Sequence, residues 1–158
     1  ERWGGRTRLL LEIKAHGRNR KGSRDQELAE RTAALLAQLP AADYANIRVL
    51  SFSQRVLETV AESLHTRDLL PPLLVRNLSH PGEMRKTTAA KLARCHVCCI
   101  NIDSFSRSEV ERVHRLEMPL YAYTVDTKKQ VRHAKELGCS LLICNDPKKV
   151  RELVLELG

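Results

Sequence analysis

Aromatic residues are scarce in this sequence of 158 residues, at 4% of the total. A hydrophobic core must therefore be built from Leu, Val, Ile and Ala rather than from large rings. No apolar run approaches the roughly 20 residues that a membrane-spanning helix needs, so the sequence predicts no membrane span. Residues 1–5 include neither a starting Met nor the apolar region of a signal peptide, and we expect the chain to be cut from a longer protein.

Low-complexity segments are also absent, and the 42% apolar and 29% charged residues are typical of a globular chain. We therefore expect one domain over residues 1–158. Lys and Arg outnumber Asp and Glu by 27 to 19, a net charge of +8 that suits an anionic partner. Nucleic acid is not predicted to be that partner, because no aromatic residues are interleaved with the basic ones and no recognition motif is present.

Cysteines number five, an odd count that argues against a disulfide framework in a chain without a secretory signal. The count favours reduced thiols and a cytoplasmic location. Cys95 and Cys98 have a spacing that suits zinc. However, Cys98 and Cys99 fall within an apolar strand pattern, which instead indicates buried thiols. Cys139 and Cys144 belong to the last predicted strand and have the same interpretation.

Strands and helices are predicted to alternate six times along the chain, with short connections. The strands are mostly continuous apolar runs, a pattern typical of parallel strands covered by helices. The predicted strands are 9–14, 46–52, 73–78, 97–102, 120–125 and 140–144. Helical spacing predicts one continuous helix from Glu83 to Arg94. This periodicity does not distinguish an open doubly wound sheet from part of a (β/α)8 barrel.

Capping residues mark the starts of several predicted helices. Ser106 and Glu109 have the spacing of a capping box. Asp126 is the predicted N-cap of the next helix, which we expect to end at Gly138. Asp146 is predicted to cap the last helix.

The first predicted strand, Leu9 to Lys14, is an apolar run that ends in two opposite charges. Alternation of side chains places Glu12 and Lys14 on one face. Such charges are expensive to bury unless they are paired or bound to something. Two interpretations stay open. One is a structural ion pair, and the other is a site in which Glu12 holds a hard cation while Lys14 meets an anion.

A basic loop, Arg18 to Arg24, leaves from the end of this strand. We expect it to overhang a pocket and to attract anions, although solvation alone explains any one of its residues. His16 lies two residues past Lys14 and either contacts a phosphate or is solvated. His114 and His133 fall on predicted helices and are expected at the surface.

Four stretches resemble motifs of the glycerophosphodiester phosphodiesterase family, a group of (β/α)8 barrels. Glu12–Lys14 matches a strand that ends E-I-K, and Ser51–Phe52 matches a strand that ends S-F. Tyr123–Asp126 is similar to an aromatic residue followed by T-V-N, and Cys144–Pro147 is similar to a turn of the type T-[ND]-x-P. The four stretches occur in the family's order across essentially the whole chain.

The resemblance implies an α/β fold, a partial TIM (β/α)8 barrel of six parallel βα units. It implies hydrolysis of a glycerophosphodiester substrate to glycerol 3-phosphate and an alcohol. Glu12 would be a metal ligand, and the metal a divalent cation, Mg²⁺ or Ca²⁺. Lys14 would be catalytic and stabilise phosphate charge. Tyr123 would either bind substrate on the pocket wall or be an ordinary core aromatic.

The chain departs from the family in the motifs that it lacks. It contains no H-R-G strand, E-N-T turn or H-D pair, and in the family these supply the acid/base histidines and further metal ligands. Asp126 and Cys144 replace the usual Asn and Thr. We expect an incomplete fragment, the last six of eight units, that is inactive alone and able to self-associate through open sheet edges. The alternative is a non-catalytic relic of the barrel that binds anions or regulates.

Overall fold

Residues 8–15, 23–92 and 94–158 are described by the computed structural model, and strands and helices alternate along them. The strands are β1 (Leu9–Glu12), β2 (Ile47–Ser51), β3 (Leu73–Leu78), β4 (Val97–Asn101), β5 (Leu120–Tyr123) and β6 (Leu141–Leu142). The helices are α1 (Ser23–Leu36), α2 (Ala41–Tyr44), α3 (Gln54–His65), α4 (Pro81–Lys86), α5 (Ala89–Leu92), α6 (Arg107–Arg115), α7 (Lys128–Glu136) and α8 (Pro147–Glu156). None of these described helices is long and apolar enough to cross a membrane. The chain divides into two compact units, Glu1–Asn77 and Leu78–Gly158.

The first unit contains β1, β2 and β3, which pair in parallel. In this register Glu12 lies beside Leu50, and Leu50 lies beside Val75. Helix α3 contacts both β2 and α1. It buries an apolar stripe made of Val56, Leu57, Val60 and Leu64. Burial of each such side chain contributes about 1.5–3 kcal/mol, so this stripe fixes α3 against its neighbours.

The second unit contains β4, β5 and β6, which also pair in parallel. Its core is mainly aliphatic, as the scarcity of aromatic residues predicts. The core side chains from β4, β5, α6 and α7 are Cys98, Ile100, Leu120, Ala122, Val110, Val113, Val131 and Ala134. Since side chains alternate along a strand, Asn101 and Tyr123 lie on the opposite face of β4 and β5.

Two of the predicted helix starts are confirmed. The Glu109 carboxylate accepts a hydrogen bond from the N–H of Ser106 at 2.8 Å, as expected of a capping box. This bond holds the pKa of Glu109 below its ordinary value. Asp146 accepts a hydrogen bond from the N–H of Lys149 at 3.1 Å and caps α8. The predicted stop at Gly138 is also confirmed, because this residue follows α7 with a φ of +72°.

The prediction that Asp126 caps α7 is wrong by one residue. Thr127 is the N-cap, and its side chain accepts a hydrogen bond from the N–H of Gln130 at 3.3 Å. The Gln130 side chain accepts in return from the N–H of Thr127 at 3.1 Å. The Asp126 carboxylate accepts instead from Asn145, from the backbone N–H at 2.7 Å and from the side-chain amide at 2.6 Å. Asp126 therefore joins two loops rather than capping a helix.

The prediction of a continuous helix from Glu83 to Arg94 is also wrong. Thr87 is extended, with φ −87° and ψ 122°, and it separates α4 from α5. Its hydroxyl donates at 2.9 Å to the carbonyl of Glu83, which also accepts from the backbone N–H of Thr87 at 3.1 Å. The Thr88 hydroxyl accepts from the N–H of Lys91 at 3.2 Å, at the start of α5. Adjacent threonines, which lose side-chain freedom inside a helix, thus end one helix and begin another.

The remaining differences are at strand ends and in one additional short helix. β1 ends at Glu12 rather than at Lys14, and β6 spans Leu141–Leu142 rather than residues 140–144. The four-residue helix α2, Ala41–Tyr44, has no counterpart among the predicted elements. Strand and helix boundaries depend on a few terminal hydrogen bonds, so an apolar run predicts that a strand exists better than where it stops.

The cysteines form no disulfide, and all five belong to the described part of the chain. Cys95, Cys98 and Cys99 are buried, as predicted, whereas Cys139 and Cys144 are only partly buried and lie on either side of the short β6. Among the described residues, no group of three or more His, Cys, Asp and Glu side chains could hold a metal ion. The structure therefore gives no support to a zinc site at Cys95 and Cys98.

Candidate active site

Glu12 and Lys14 lie at and just beyond the C-terminal end of β1. They flank Ile13, whose side chain is 4% exposed, whereas both charged residues are exposed. Because side chains alternate along an extended chain, Ile13 packs on one face while Glu12 and Lys14 share the other. The structure thus brings the two candidate side chains together on one face of the strand.

Neighbouring strands supply an apolar floor on this face. Parallel partners project on the same side of a sheet, so Leu50 and Val75 lie beside Glu12. Among the residues that the structure describes, no ion pair within 4.0 Å joins Glu12 to Lys14. With both groups exposed and no such pair, the interpretation as a structural ion pair is not supported.

Ser51 fixes the backbone between the two charged residues. Its hydroxyl donates to the carbonyl of Ile13 at 2.8 Å and accepts from the N–H of Ser53 at 3.1 Å. Ser51 is fully buried, and the N–H of Ile13 donates to Leu50 at 2.8 Å. The S-F motif therefore has a physical explanation here. A buried hydroxyl at the end of β2 holds the peptide that orients Glu12 and Lys14.

Arg76 is a buried cation that the sequence analysis did not single out. Its guanidinium donates to the carbonyl of Phe52 and, at 2.7 Å, to the carbonyl of Asn77. The residue is 8% exposed. By register Arg76 lies beside Ser51, on the face opposite to Glu12 and Lys14. It therefore ties the ends of β2 and β3 together and does not face the candidate site. A basic residue inside an apolar strand was the signal available in the sequence.

The face that carries Glu12 and Lys14 meets only part of what a divalent cation needs. Mg²⁺ and Ca²⁺ prefer oxygen ligands, and the exposed Glu12 carboxylate supplies one charged oxygen donor. The described residues contain no cluster of three or more candidate side-chain ligands. Glu12 can therefore provide one part of a coordination sphere, completed by ligands from substrate, water or other residues.

Tyr123 belongs to the second unit, where it ends β5. Its hydroxyl donates to the carbonyl of Leu78 at 3.0 Å, and the side chain is half-buried. The hydroxyl is thus engaged by the backbone carbonyl of Leu78. A substrate-binding role for Tyr123 stays a prediction.

The loops at the same end of the second unit are joined by side-chain hydrogen bonds. Besides the bonds between Asp126 and Asn145, the Gln130 amide donates to both carboxylate oxygens of Asp103 at 3.0 Å. Cys144 lies beside this network, and burial together with the Asp126 and Asp146 carboxylates raises its pKa. A thiol held in its protonated form is a poor nucleophile, so these surroundings do not activate Cys144.

Two further predictions concern the basic loop and the histidines. His16 and residues 18–22 of the basic loop lie outside the described residues. The expectation that His114 and His133 lie at the surface is confirmed for His114, which is exposed, whereas His133 is half-buried. His114 is within hydrogen-bond distance of the carbonyl of Leu137 at 3.0 Å, and half-buried His133 is 2.7 Å from the carbonyl of Phe105. Both rings connect helices to neighbouring backbone.

Residues 7–149 match the glycerophosphoryl diester phosphodiesterase family. No curated protein matches the chain. A structure from Silicibacter pomeroyi DSS-3, assigned to the glycerophosphoryl diester phosphodiesterases, has a TM-score of 0.72 and 18% identity over 96% of this chain. A glycerophosphodiester phosphodiesterase from Parabacteroides distasonis has a TM-score of 0.65 and 14% identity over 95% of this chain. A phosphodiesterase from Oleispira antarctica, in complex with the product sn-glycerol-3-phosphate, has a TM-score of 0.63 and 17% identity over 82% of this chain.

These similarities confirm the predicted fold, six parallel βα units of a partial (β/α)8 barrel. They are low in identity and so bear on the fold alone. This chain covers 51%, 58% and 50% of the three solved chains, in the order given. It therefore spans about half the length of the structures that it resembles.

Proposed function

Because the chain belongs to the glycerophosphoryl diester phosphodiesterase family, we propose that it takes part in hydrolysing glycerophosphodiesters to glycerol 3-phosphate and an alcohol. The observation that carries the proposal is the shared face of Glu12 and Lys14, held by the hydrogen bond from Ser51 to Ile13. The Oleispira structure, with its bound product, supports the choice of substrate class.

In this proposal the two charged residues have different tasks. Glu12 would hold a divalent cation, Mg²⁺ or Ca²⁺, which supplies charge neutralisation at the phosphate when bound. Lys14 contributes a point charge beside the phosphate oxygens, where it stabilises negative charge. The apolar neighbours Leu50 and Val75 limit access of water to the floor of the face and so strengthen these interactions. A substrate contact at Tyr123 is a separate proposal, made for the second unit by itself.

The residues that perform acid/base chemistry in the family are not identified in this chain. The H-R-G and H-D motifs that supply the family's histidines are absent from this sequence. A second candidate function, which the exposed Lys14 also supports, is a non-catalytic barrel relic that binds anions or regulates. A relic that binds anions would share anion binding at Lys14 with the enzyme and would differ in that no turnover follows.

Binding of sn-glycerol 3-phosphate tests the proposal, with calorimetry on the wild-type chain and on Lys14→Met. Loss of one charge-assisted contact should weaken binding about 10- to 100-fold. Lys86→Met, at an exposed position of α4, is the matched control and should leave the affinity unchanged. Equal affinity of the wild type and Lys14→Met would show that the phosphate site lies elsewhere.

Two further expectations are kept as proposals. Reduced thiols at all five cysteines support a cytoplasmic location, which imaging of the tagged protein checks. Self-association through unpaired sheet edges is supported by the general tendency of open edges to pair. Sedimentation at increasing concentration tests it, and a constant monomer mass would contradict it.

A further inference from the structure

The Asn77 side chain is a buried polar group on β3 whose partner is missing. It is 4% exposed, and its Oδ1 atom has no hydrogen-bond partner among the residues that the structure describes. Its backbone carbonyl is already used by Arg76. A buried polar atom without a partner is destabilising, so such atoms are uncommon in folded proteins and often have a functional reason.

The strand register places Asn77 on the same face as Glu12 and Lys14. Glu12 is level with Leu50 and Val75 in the parallel pairing. Asn77 follows Val75 by two residues, as Lys14 follows Glu12, so Asn77 and Lys14 are level on one face. Two strand spacings separate them, a distance of about 10 Å between Cα atoms. Their side chains can therefore reach the same small ligand from opposite sides.

We propose that Asn77 determines specificity for the glycerol portion of the ligand, with its Oδ1 accepting a hydrogen bond from a glycerol hydroxyl. This inference rests on the function proposed above, in which Lys14 holds the phosphate. A neutral amide suits the role because its carbonyl oxygen is an acceptor and hydroxyls are donors. Inorganic phosphate carries the same anion without the glycerol, so it would not use Asn77.

The test compares the affinities of sn-glycerol 3-phosphate and inorganic phosphate for the wild type and Asn77→Leu. Leu is close to Asn in shape and has no acceptor. Asn77→Leu should bind sn-glycerol 3-phosphate about 5-fold more weakly, the effect of one neutral hydrogen bond, and bind phosphate as the wild type does. Asn101→Leu is the matched control, because Asn101 also ends a strand but its Oδ1 already accepts from Asp103 at 3.1 Å. It should leave the preference for sn-glycerol 3-phosphate unchanged.

The outcomes separate the inference from the proposed function. If Asn77→Leu keeps the wild-type preference for sn-glycerol 3-phosphate over phosphate, the inference is wrong, while phosphate binding at Lys14 stands. A higher melting temperature of this variant would then show that Asn77 only destabilises the fold. If the wild type binds neither ligand, the proposed function fails and the inference with it. Thermal unfolding verifies that Asn77→Leu is folded. If Asn77→Leu does not fold, Asn77→Ser takes its place. The shorter Ser side chain does not reach the glycerol hydroxyl, so the same loss of preference for sn-glycerol 3-phosphate is expected.

Discussion

A single buried hydroxyl governs the geometry of the candidate site. Ser51 lies in β2, and its bond to the carbonyl of Ile13 acts on the peptide between Glu12 and Lys14. The shared face of these two residues follows from side-chain alternation and is predictable from the sequence. The Ser51 bond is not, because the two residues are 38 positions apart and the contact depends on the strand pairing.

Substitution Ser51→Ala should lower the free energy of unfolding by about 1–3 kcal/mol, because it removes a hydrogen bond from the buried Ile13 carbonyl. It should also weaken binding of sn-glycerol 3-phosphate. Chemical denaturation and calorimetry measure the two effects. Ser108→Ala is the control for loss of an exposed hydroxyl, because the Ser108 hydroxyl lies 3.2 Å from that of Ser106 where water can replace it. It should change stability by less than about 0.5 kcal/mol. An unchanged affinity in a folded Ser51→Ala variant would show that the bond does not orient the site.

Cys139 should make the free energy of unfolding depend on pH in the alkaline range. Burial raises its pKa from 9.0 to about 12. Between these values the unfolded chain releases the proton and the folded chain keeps it, so stability is lost as pH rises from about 9 towards 12. Denaturation at pH 7 and pH 10 should show a smaller alkaline loss in Cys139→Ala than in the wild type. Identical losses would mean that Cys139 is more accessible to water than its place in the structure indicates.

The residues that determine where a helix starts are close together in the sequence for some helices and far apart for others. The capping box of Ser106 and Glu109 is local and was predicted correctly. Asp126 and Thr127 are both good caps, and the choice between them depends on Asn145, 19 residues away. Sequence reasoning finds the position of such a helix to within one residue, and tertiary hydrogen bonds decide the rest.

Thr127→Ala should destabilise the start of α7 by about 1 kcal/mol, the usual cost of losing an N-cap. The amide of Gln130, which donates to Thr127 at 3.3 Å, should exchange with solvent faster in this variant. Amide hydrogen exchange measured by NMR checks this. Asp126→Ala should leave that amide protected while it loosens the loop that carries Asn145. The reverse pattern would restore Asp126 as the cap.

At the scale of the whole molecule, alternation of strands and helices predicted parallel βα units. It did not distinguish an open sheet from a partial barrel, because both satisfy the same apolar periodicity. The motifs at the strand ends made that distinction, and the structural similarity at a TM-score of 0.72 confirmed it. The short β6 and the break at Thr87 were outside what periodicity could predict, since hydrogen bonds at the ends of elements determine them.

This chain should hydrolyse glycerophosphocholine at least about 100-fold more slowly than a family member that contains the H-R-G and H-D motifs, since acid/base transfer typically contributes that much or more. The assay measures glycerol 3-phosphate released in the presence of Mg²⁺ or Ca²⁺. Turnover close to that of such a member would show that a residue of this chain, with His16 the first candidate, performs the proton transfer.

The cation dependence of sn-glycerol 3-phosphate binding tests the role of Glu12 most directly, and calorimetry with Mg²⁺ or Ca²⁺ and again with EDTA measures it. If Glu12 holds the cation, the cation should strengthen binding by the wild type at least about 10-fold, the contribution of a charged contact. This gain should disappear in Glu12→Gln and persist in the control Glu62→Gln, at an exposed position of α3. Binding that ignores EDTA, or a Glu12→Gln variant that responds to the cation as the wild type does, would contradict this role of Glu12.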